Sequence, residues 1–162
     1  MKARIKGDKL VTLHFDASIT RNPGGDCFYG IVFSRNGTVF AEARGPIYDA
    51  HTNNEGEYGA LIEGLKAAQS MGVEALHVKG DSDLIIKQMT GRWRVRANNL
   101  KDWYWKAKIL SRSISYVFYE WVDRDFNVAA DALAALAKED RQERIQHFAP
   151  EGFLGSVVIA SG

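Results

Sequence analysis

The chain has 162 residues, of which 46% are hydrophobic and 25% charged, and its formal net charge is +1. These values predict one globular domain with enough apolar surface to bury a core, and the apolar runs are too short to span a bilayer. A single cysteine, Cys27, excludes an internal disulfide and a cysteine zinc site, so we expect a cytoplasmic protein. Because the apolar runs are short, we expect no contact with a membrane.

Three strands are predicted at the beginning of the chain. Residues 10–17 alternate between apolar and polar side chains, and the turn residues Asn22-Pro23-Gly24-Gly25 follow them. A second strand is predicted at residues 29–34 and a third at 38–44. The dipeptide Asn36-Gly37 between them favours a two-residue hairpin turn, which makes these strands antiparallel.

Helices and strands alternate in the rest of the chain. Helices are predicted from Asn54 to Met71, at residues 83–89, at 98–113 and from Val128 to about Arg144, and strands at 75–79 and 116–122. The order βββαβααβα predicts an α+β or mixed α/β sheet with helices on its faces.

The C-terminal end is apolar at Phe153-Leu154 and at Val157-Val158-Ile159. We place the domain at residues 1–146 and treat residues 147–162 as a tail. The tail adds an edge strand, docks on the domain or mediates contacts between chains, and the sequence does not choose among these alternatives.

Four acids lie at the ends of predicted elements. Asp16 is close to the end of the first strand and Asp81 directly follows the fourth, while Glu57 and Asp131 are in the first turns of two helices. In sheets with parallel crossovers, sites form where strands end and the following helices begin. If the four acids converge, a cation must offset their like charges, and hard oxygen ligands without a thiol select Mg²⁺ or Mn²⁺.

Each acid also has a structural alternative. Glu57 and Asp131 can stabilise helix dipoles, and Asp81 can take part in capping the next helix. Asp16 is harder to explain in this way, because an acid inside an apolar strand costs free energy unless it is paired. The coincidence of four such acids favours a shared site.

The same acids belong to four sequence blocks that follow one another in order. The blocks are Phe15-Asp16-Ala17-Ser18 with Asn22-Pro23-Gly24, Thr52-Asn53-Asn54-Glu55-Gly56-Glu57-Tyr58, Gly80-Asp81-Ser82, and the run from Arg124 to Ala134 that contains Asp131. In residues and spacing they resemble the type 1 ribonuclease H family. The segment from Gly91 to Leu100 is too short for the basic handle of many bacterial members, so the chain is most similar to the plant-like and archaeal branch.

The resemblance implies a ribonuclease H-like sheet of five strands, three antiparallel and two parallel, flanked by helices. It also implies a monomeric endonuclease that cuts the RNA strand of RNA/DNA hybrids and leaves 3′-hydroxyl and 5′-phosphate ends. Asp16, Glu57, Asp81 and Asp131 would be the catalytic residues and would hold two Mg²⁺ ions, with Mn²⁺ as a substitute. Asp16 would bridge the ions, Glu57 and Asp81 would hold the nucleophile-side ion, and Asp131 would lie near the leaving group.

The resemblance further implies contacts with the substrate. Asn22, Asn53 and Asn54 would lie beside the duplex near 2′-hydroxyls, and Thr52 and Asn22 would lie near a DNA phosphate. Asn residues in these turns are also ordinary turn chemistry, and Ser82 either binds substrate or caps a helix.

Positive charge is concentrated in the segment that would replace the handle. Residues 92–112 contain seven basic residues and one acid, a net charge of +6, and Trp93, Trp103, Tyr104 and Trp105 lie among them. Alternating arginines and aromatic residues are typical of nucleic-acid binding, and we expect Trp93 and Arg94 to contact substrate. The alternative is that the aromatic residues belong to the core and only the arginines are solvated.

Three departures from the family pattern stand out. Ala17 replaces a common Gly, Gly56 replaces a bulkier residue, and the loop before Asp131 contains Trp121 and Arg124 but not the His that some members use. The alternative function is therefore a catalytically silent ribonuclease H-like module that binds nucleic acid or a partner. The presence of all four acids argues against it.

Overall fold

The computed structural model describes residues 9–148 and the backbone of residues 156–161. The elements are β1 (Leu10–Ile19), β2 (Cys27–Arg35), β3 (Thr38–Ile47), α1 (Asn53–Ser70), β4 (Ala75–Gly80), α2 (Asp83–Met89), α3 (Asn98–Arg112), β5 (Tyr116–Trp121), a single 3₁₀ turn (Arg124–Phe126), α4 (Val128–Asp140), β6 (Glu143–Phe148) and β7 (Ser156–Ser161). Across the described ranges, every helix is too short or too polar to cross a membrane.

A single mixed sheet organises the fold, and its strand order is β5-β4-β1-β2-β3-β6-β7. The pairs β1–β4 and β4–β5 are parallel, and the other four neighbouring pairs are antiparallel. The predicted mixed sheet flanked by helices is therefore confirmed. The predicted count of five strands was wrong, because β6 and β7 extend the antiparallel edge to give seven.

The prediction for the last helix was also wrong at its end. Instead of continuing to Arg144, α4 ends at Asp140, and Arg141 takes a left-handed conformation with a φ of 55°. Ile145 then pairs with Ala43 of β3, so the backbone groups of this segment find partners in the sheet. β6 spans the boundary that we placed after residue 146, and residues 149–155 and 162 of the tail lie outside the described part.

The helices cover the two faces of the sheet unequally. Val11, Leu13 and Phe15 of β1 are fully buried in one core with apolar residues of α1, α2 and α3. Residues that alternate with them face α4, which packs across β1, β2 and β3. This layered arrangement brings the beginnings of α1 and α4 to the edge where β1 and β4 end.

Gly30 on β2 allows α4 to approach the sheet closely. A Cβ atom at Gly30 would lie 2.2 Å from the carbonyl oxygen of Ala130 and 2.6 Å from the backbone nitrogen of Ala134. Gly30 is the direct partner of Asp16 in the β1–β2 ladder. The missing side chain therefore places the first turn of α4, which carries Asp131, beside Asp16.

Candidate active site

The register of the parallel strands β1 and β4 sets Asp16 beside Asp81. Phe15 pairs with Gly80, and Asp16 and Asp81 are the residues that directly follow this pair in sequence. Asp16 is 5% exposed, and Ala17 donates its backbone N–H to Asp16 Oδ1 at 2.9 Å. Two carboxylates are thus fixed at neighbouring points of one sheet edge.

Glu57 completes a cluster of three acids from the beginning of α1. Its side chain is 5% exposed, and one carboxylate oxygen from each of Asp16, Glu57 and Asp81 lies within 4.8 Å of the others. The structure therefore brings three of the four predicted acids together, from two strands and one helix.

Burial raises the pKa of each of these three carboxyl groups. Burial is the largest cause at Asp16, whose pKa rises to about 7, and hydrogen bonding to Glu57 partly opposes it. At Glu57, burial and the charge of Asp16 raise the pKa well above its ordinary value. At Asp81, burial also raises the pKa, whereas hydrogen bonding to Asn127 and the charge of Arg124 lower it. Without a cation, the cluster retains protons near neutral pH.

The donor set fits a divalent cation. Glu57 Oε2 and Asp81 Oδ2 are buried and have no hydrogen-bond partner among the described residues. A buried carboxylate oxygen without a partner is costly, and a hard cation satisfies it directly. The three acids and the absence of a thiol in the cluster match the ligands that Mg²⁺ and Mn²⁺ prefer.

Asp131 lies next to this cluster but is not one of its three mutually close acids. It is exposed in the first turn of α4, and side-chain hydrogen bonding between Asp131 and Asp16 raises the pKa of Asp16. The fourth predicted acid therefore reaches the site from its solvent side.

Asn127 is a part of the site that sequence reasoning missed. Its side chain is 1% exposed, its Nδ2 donates to the carbonyl oxygen of Phe15 at 2.9 Å, and its Oδ1 has no partner among the described residues. The Asp131 N–H donates to the Asn127 carbonyl. Asn127 thus connects β1 to the beginning of α4. It also acts on Asp81, because hydrogen bonding to Asn127 lowers the pKa of that carboxyl group. A polar residue directly before an amphipathic helix was the available signal, but it is shared with ordinary caps.

The last residue of β5 and the 3₁₀ turn that follows contribute two interactions at Asp81. Trp121 donates its indole N–H to the Asp81 carbonyl oxygen at 3.1 Å, and the positive charge of Arg124 lowers the pKa of Asp81. In the part of the chain that the structure describes, neither side chain forms an ion pair or a hydrogen bond with the carboxylate group of any of the three clustered acids. The carboxylates are therefore not locked by a protein cation.

Comparison with known proteins supports the resemblance. A family model described as reverse transcriptase-like matches residues 14–137. Ribonuclease HI of Halobacterium salinarum is 35% identical over 134 residues, which are 80% of this chain and 65% of that protein. The bifunctional protein Rv2228c of Mycobacterium tuberculosis is 38% identical over 125 residues, 76% of this chain and 34% of that protein. This chain belongs to the type 1 ribonuclease H family.

Solved structures of the family superpose on most of the chain. The N-terminal RNase H domain of Rv2228c has a TM-score of 0.75 at 37% identity and covers 82% of this chain and 95% of that one. RNase H1 of Halobacterium salinarum has a TM-score of 0.76 at 34% identity, covering 81% and 98%. LC11-RNase H1, solved in complex with an RNA/DNA hybrid, has a TM-score of 0.73 at 27% identity, covering 80% and 97%. The chain spans only about a third of the full Rv2228c protein.

Two departures from the ribonuclease H pattern, Ala17 and Gly56, face each other. A Cβ atom at Gly56 would lie 3.4 Å from the Ala17 Cβ, 3.2 Å from the Cys27 Cβ and 3.0 Å from the Cys27 Sγ. A side chain at position 56 would therefore be in ordinary contact with Ala17 and in tight contact with Cys27. Asp16 and Glu57 are the sequence neighbours of Ala17 and Gly56.

The predicted contacts for the duplex are grouped at the beginning of α1. Asn22 Oδ1 accepts the Asn53 backbone N–H at 3.0 Å, which ties the turn after β1 to this helix. Thr52 caps α1 by accepting the Glu55 N–H at 3.2 Å. Asn53 and Asn54 are exposed in the first turn, so their side-chain amides are available to a ligand.

The remaining predicted contacts differ in their surroundings. Ser82 accepts the Ile85 N–H at 3.4 Å and so caps α2. Trp93 is 46% exposed, with the Lys87 ammonium 4.3 Å from its ring centroid. Trp93 and Arg94 line a groove of about 520 Å³ that also includes Asn54. Ser82 has a structural role, while Trp93 and Arg94 present their side chains at the surface.

Proposed function

We propose that the chain is a metal-dependent endonuclease that hydrolyses the RNA strand of RNA/DNA hybrids. The observation that carries the proposal is the cluster of Asp16, Glu57 and Asp81, with one oxygen of each within 4.8 Å of the others. In this cluster Glu57 Oε2 and Asp81 Oδ2 are buried without a partner among the described residues. A purely structural cluster of like charges would be destabilising. On a ribonuclease H scaffold, a catalytic role explains why the acids are held together.

The reaction adds one water molecule to a phosphodiester of the RNA strand. The water oxygen bonds to phosphorus, the bond from phosphorus to the 3′-oxygen breaks, and the products are a 3′-hydroxyl and a 5′-phosphate. Two Mg²⁺ ions, or Mn²⁺ in their place, would supply Lewis-acid charge that activates the water and stabilises the leaving oxygen. Asp16, Glu57 and Asp81 would hold these ions, with Asp16 shared between them and Asp131 on the leaving-group side.

Recognition of the hybrid would take place beside the carboxylates. Asn22, Thr52, Asn53 and Asn54 share one surface at the beginning of α1, and an amide side chain both donates to and accepts from a 2′-hydroxyl. Trp93 and Arg94 extend this surface through the groove that they share with Asn54. The proposal assigns substrate contacts to these six residues and treats the role of Ser82 in substrate binding as secondary to its cap.

The proposal includes the setting in which the protein works. The one cysteine of the chain, Cys27, is buried and free, which agrees with a cytoplasmic location. We propose a monomer, because each of the three clustered acids comes from the same chain.

The test is cleavage of an RNA/DNA hybrid labelled on the RNA strand, with and without Mg²⁺ or Mn²⁺. The wild-type protein should cut only with the cation, and Asp81→Asn should be inactive. Asp83→Asn is the matched control, because Asp83 is exposed, pairs with Lys87 and lies two residues away. It should retain activity. Absence of cleavage by the wild type in both cations would remove the proposal, and equal cleavage by Asp81→Asn would place the chemistry elsewhere.

A further inference from the structure

The outer side of α3 combines exposed apolar and basic residues. Trp105 and Ile109 are 51% and 63% exposed and lie one helical turn apart. Lys101 precedes them on the same side, and Arg112 follows, with its guanidinium carbon 6.0 Å from the centroid of the Trp105 ring. We call Lys101, Trp105, Ile109 and Arg112 the α3 face.

The α3 face is not needed to attach α3 to the protein. Leu100 and Ala107 are the buried residues of this helix, and Trp103, Tyr104 and Leu110 pack against the core from the inner side. A single exposed apolar residue is normal, but an exposed Trp and an exposed Ile in adjacent turns, flanked by cations, form a surface suited to a ligand.

The α3 face is continuous with the groove proposed for the hybrid. Trp93 and Arg94 line that groove on the side of Asn54, and they also line a second depression of about 390 Å³ that reaches Lys101 and Trp105. A strand that leaves the groove across Trp93 therefore meets Trp105 next.

We propose that the α3 face binds a single-stranded extension of the nucleic acid whose hybrid part occupies the groove, an inference that rests on the proposed function. The bases of a duplex stack on one another, whereas unpaired bases are free to stack on an aromatic ring such as Trp105. The cations of the segment, whose net charge is +6, attract the phosphates. An acidic protein would satisfy the cations, but it would not require continuity with the groove.

The test compares a blunt hybrid with four hybrids that each carry a ten-nucleotide extension, of DNA or of RNA, at one of the four strand ends. Binding is measured by fluorescence anisotropy in the Asp81→Asn protein, so that no cleavage occurs. At least one extension should tighten binding roughly tenfold, the size expected for one stacked base. The DNA and RNA arms identify which strand the face binds.

Variants locate the effect on the α3 face. Trp105→Ala, added to Asp81→Asn, should abolish the preference for the extended hybrid and leave binding of the blunt hybrid unchanged, and Trp105→Phe should restore it. Lys101→Ala should reduce the salt dependence by about one phosphate contact. Phe118→Ala is the control, because Phe118 is 49% exposed on β5 and lies on the face opposite Tyr119, whose hydroxyl bonds to Ser111 of α3. It should retain the full preference.

Each contrary outcome is informative. Equal affinity for the blunt and all extended hybrids, or a preference that survives Trp105→Ala, overturns the inference. Binding of labelled poly-glutamate that requires Trp105, without any preference for extended hybrids, overturns it in favour of an acidic protein. Failure of the wild type to cut a blunt hybrid in both Mg²⁺ and Mn²⁺ would remove the proposed function instead, and the binding comparison does not depend on that result.

Discussion

The cluster of carboxylates and the basic segment of residues 92–112 differ in how their charges are placed. Asp16 and Glu57 are each 5% exposed, and burial is the largest cause that raises the pKa of both. The arginines of residues 92–96 are exposed, and the Lys87 ammonium near Trp93 also pairs with Asp83 at 2.8 Å. One region concentrates like charge in a place shielded from water, and the other spreads opposite charge over the surface.

This difference shows which region of the fold lowers the free energy of unfolding. Buried like charges cost free energy unless a cation is present, whereas solvated arginines cost almost nothing. Removing a charge from the cluster should therefore stabilise the protein and abolish the chemistry. Removing one from the basic segment should change binding alone.

The largest effect is expected for Asp16→Asn. Cleavage of the hybrid should fall by roughly 10³-fold, because the carboxylate that we propose to be shared between the two ions is lost. Without metal, the free energy of unfolding should rise by on the order of 1 kcal/mol, since a buried like charge is removed.

Asp140→Asn is the opposite case. Its carboxylate pairs with Arg44 at 2.8 Å and its pKa is lowered, so this variant should lose stability and retain activity. A destabilised Asp16→Asn would break the comparison.

Acidification should weaken binding of the cation. The pKa of Asp16 is raised to about 7. Below that pH the cation must displace a proton from the Asp16 carboxyl group, whereas at pH 8 this group is already ionised. The apparent affinity for Mn²⁺ should fall by roughly tenfold per pH unit between pH 7 and 6, and it should level off above pH 8 as far as Asp16 is concerned. Calorimetric titration at each pH measures this dependence. An affinity that is constant across this range would show that the acids are already ionised.

A smaller effect is expected at the contact between Ala17, Cys27 and Gly56. Gly56→Ala should weaken cation binding by about tenfold, because the new Cβ lies 3.0 Å from the Cys27 Sγ and pushes Glu57 away from Asp16. The free energy of unfolding should change little, since alanine favours the helix by roughly 1 kcal/mol and this gain offsets the close contact with Cys27. Adding Cys27→Ala makes room and should restore the affinity. Weak binding that persists in the double variant would contradict this explanation.

The smallest effect is expected in the basic segment. Trp93→Ala and Arg94→Ala should each raise KM for the hybrid by roughly threefold to tenfold and leave kcat unchanged, because we propose that these residues contact the substrate away from the reacting phosphate. Steady-state kinetics at two salt concentrations separates the loss of an aromatic contact from the loss of a phosphate contact. A fall in kcat comparable to that of Asp16→Asn would contradict the division of roles between the two regions.

The first strands and helices were predictable because their periodicity matches their burial. Val11, Leu13 and Phe15 alternate with polar residues and form one wall of the core, and Asn36-Gly37 forms the expected turn, with φ of 51° and 78°. The end of α4 was not predictable. The charged residues from Lys138 onward are good helix formers, and the helix ends at an arginine instead of a glycine. Pairing with β3, a tertiary interaction, then decides that Glu143–Phe148 is a strand.

The acids of the site could be predicted from their positions at element ends, but the roles of their neighbours could not. Asn127 became visible only when its amide was found between Phe15 and the beginning of α4. Gly30 within an apolar strand and the alanines of α4 were a signal of close packing that the sequence did contain. The exposure of Asp131 depends on the angle at which α4 crosses the sheet, which no local pattern encodes.

Binding of Mn²⁺ by the protein without substrate tests the central claim most directly. Calorimetry should detect binding by the wild type and by Asp83→Asn, with an affinity at least tenfold weaker for Glu57→Gln, which removes one of the three clustered carboxylates. Equal affinity in all three proteins would contradict the account, because Asp16, Glu57 and Asp81 would then not be the ligands of the ion.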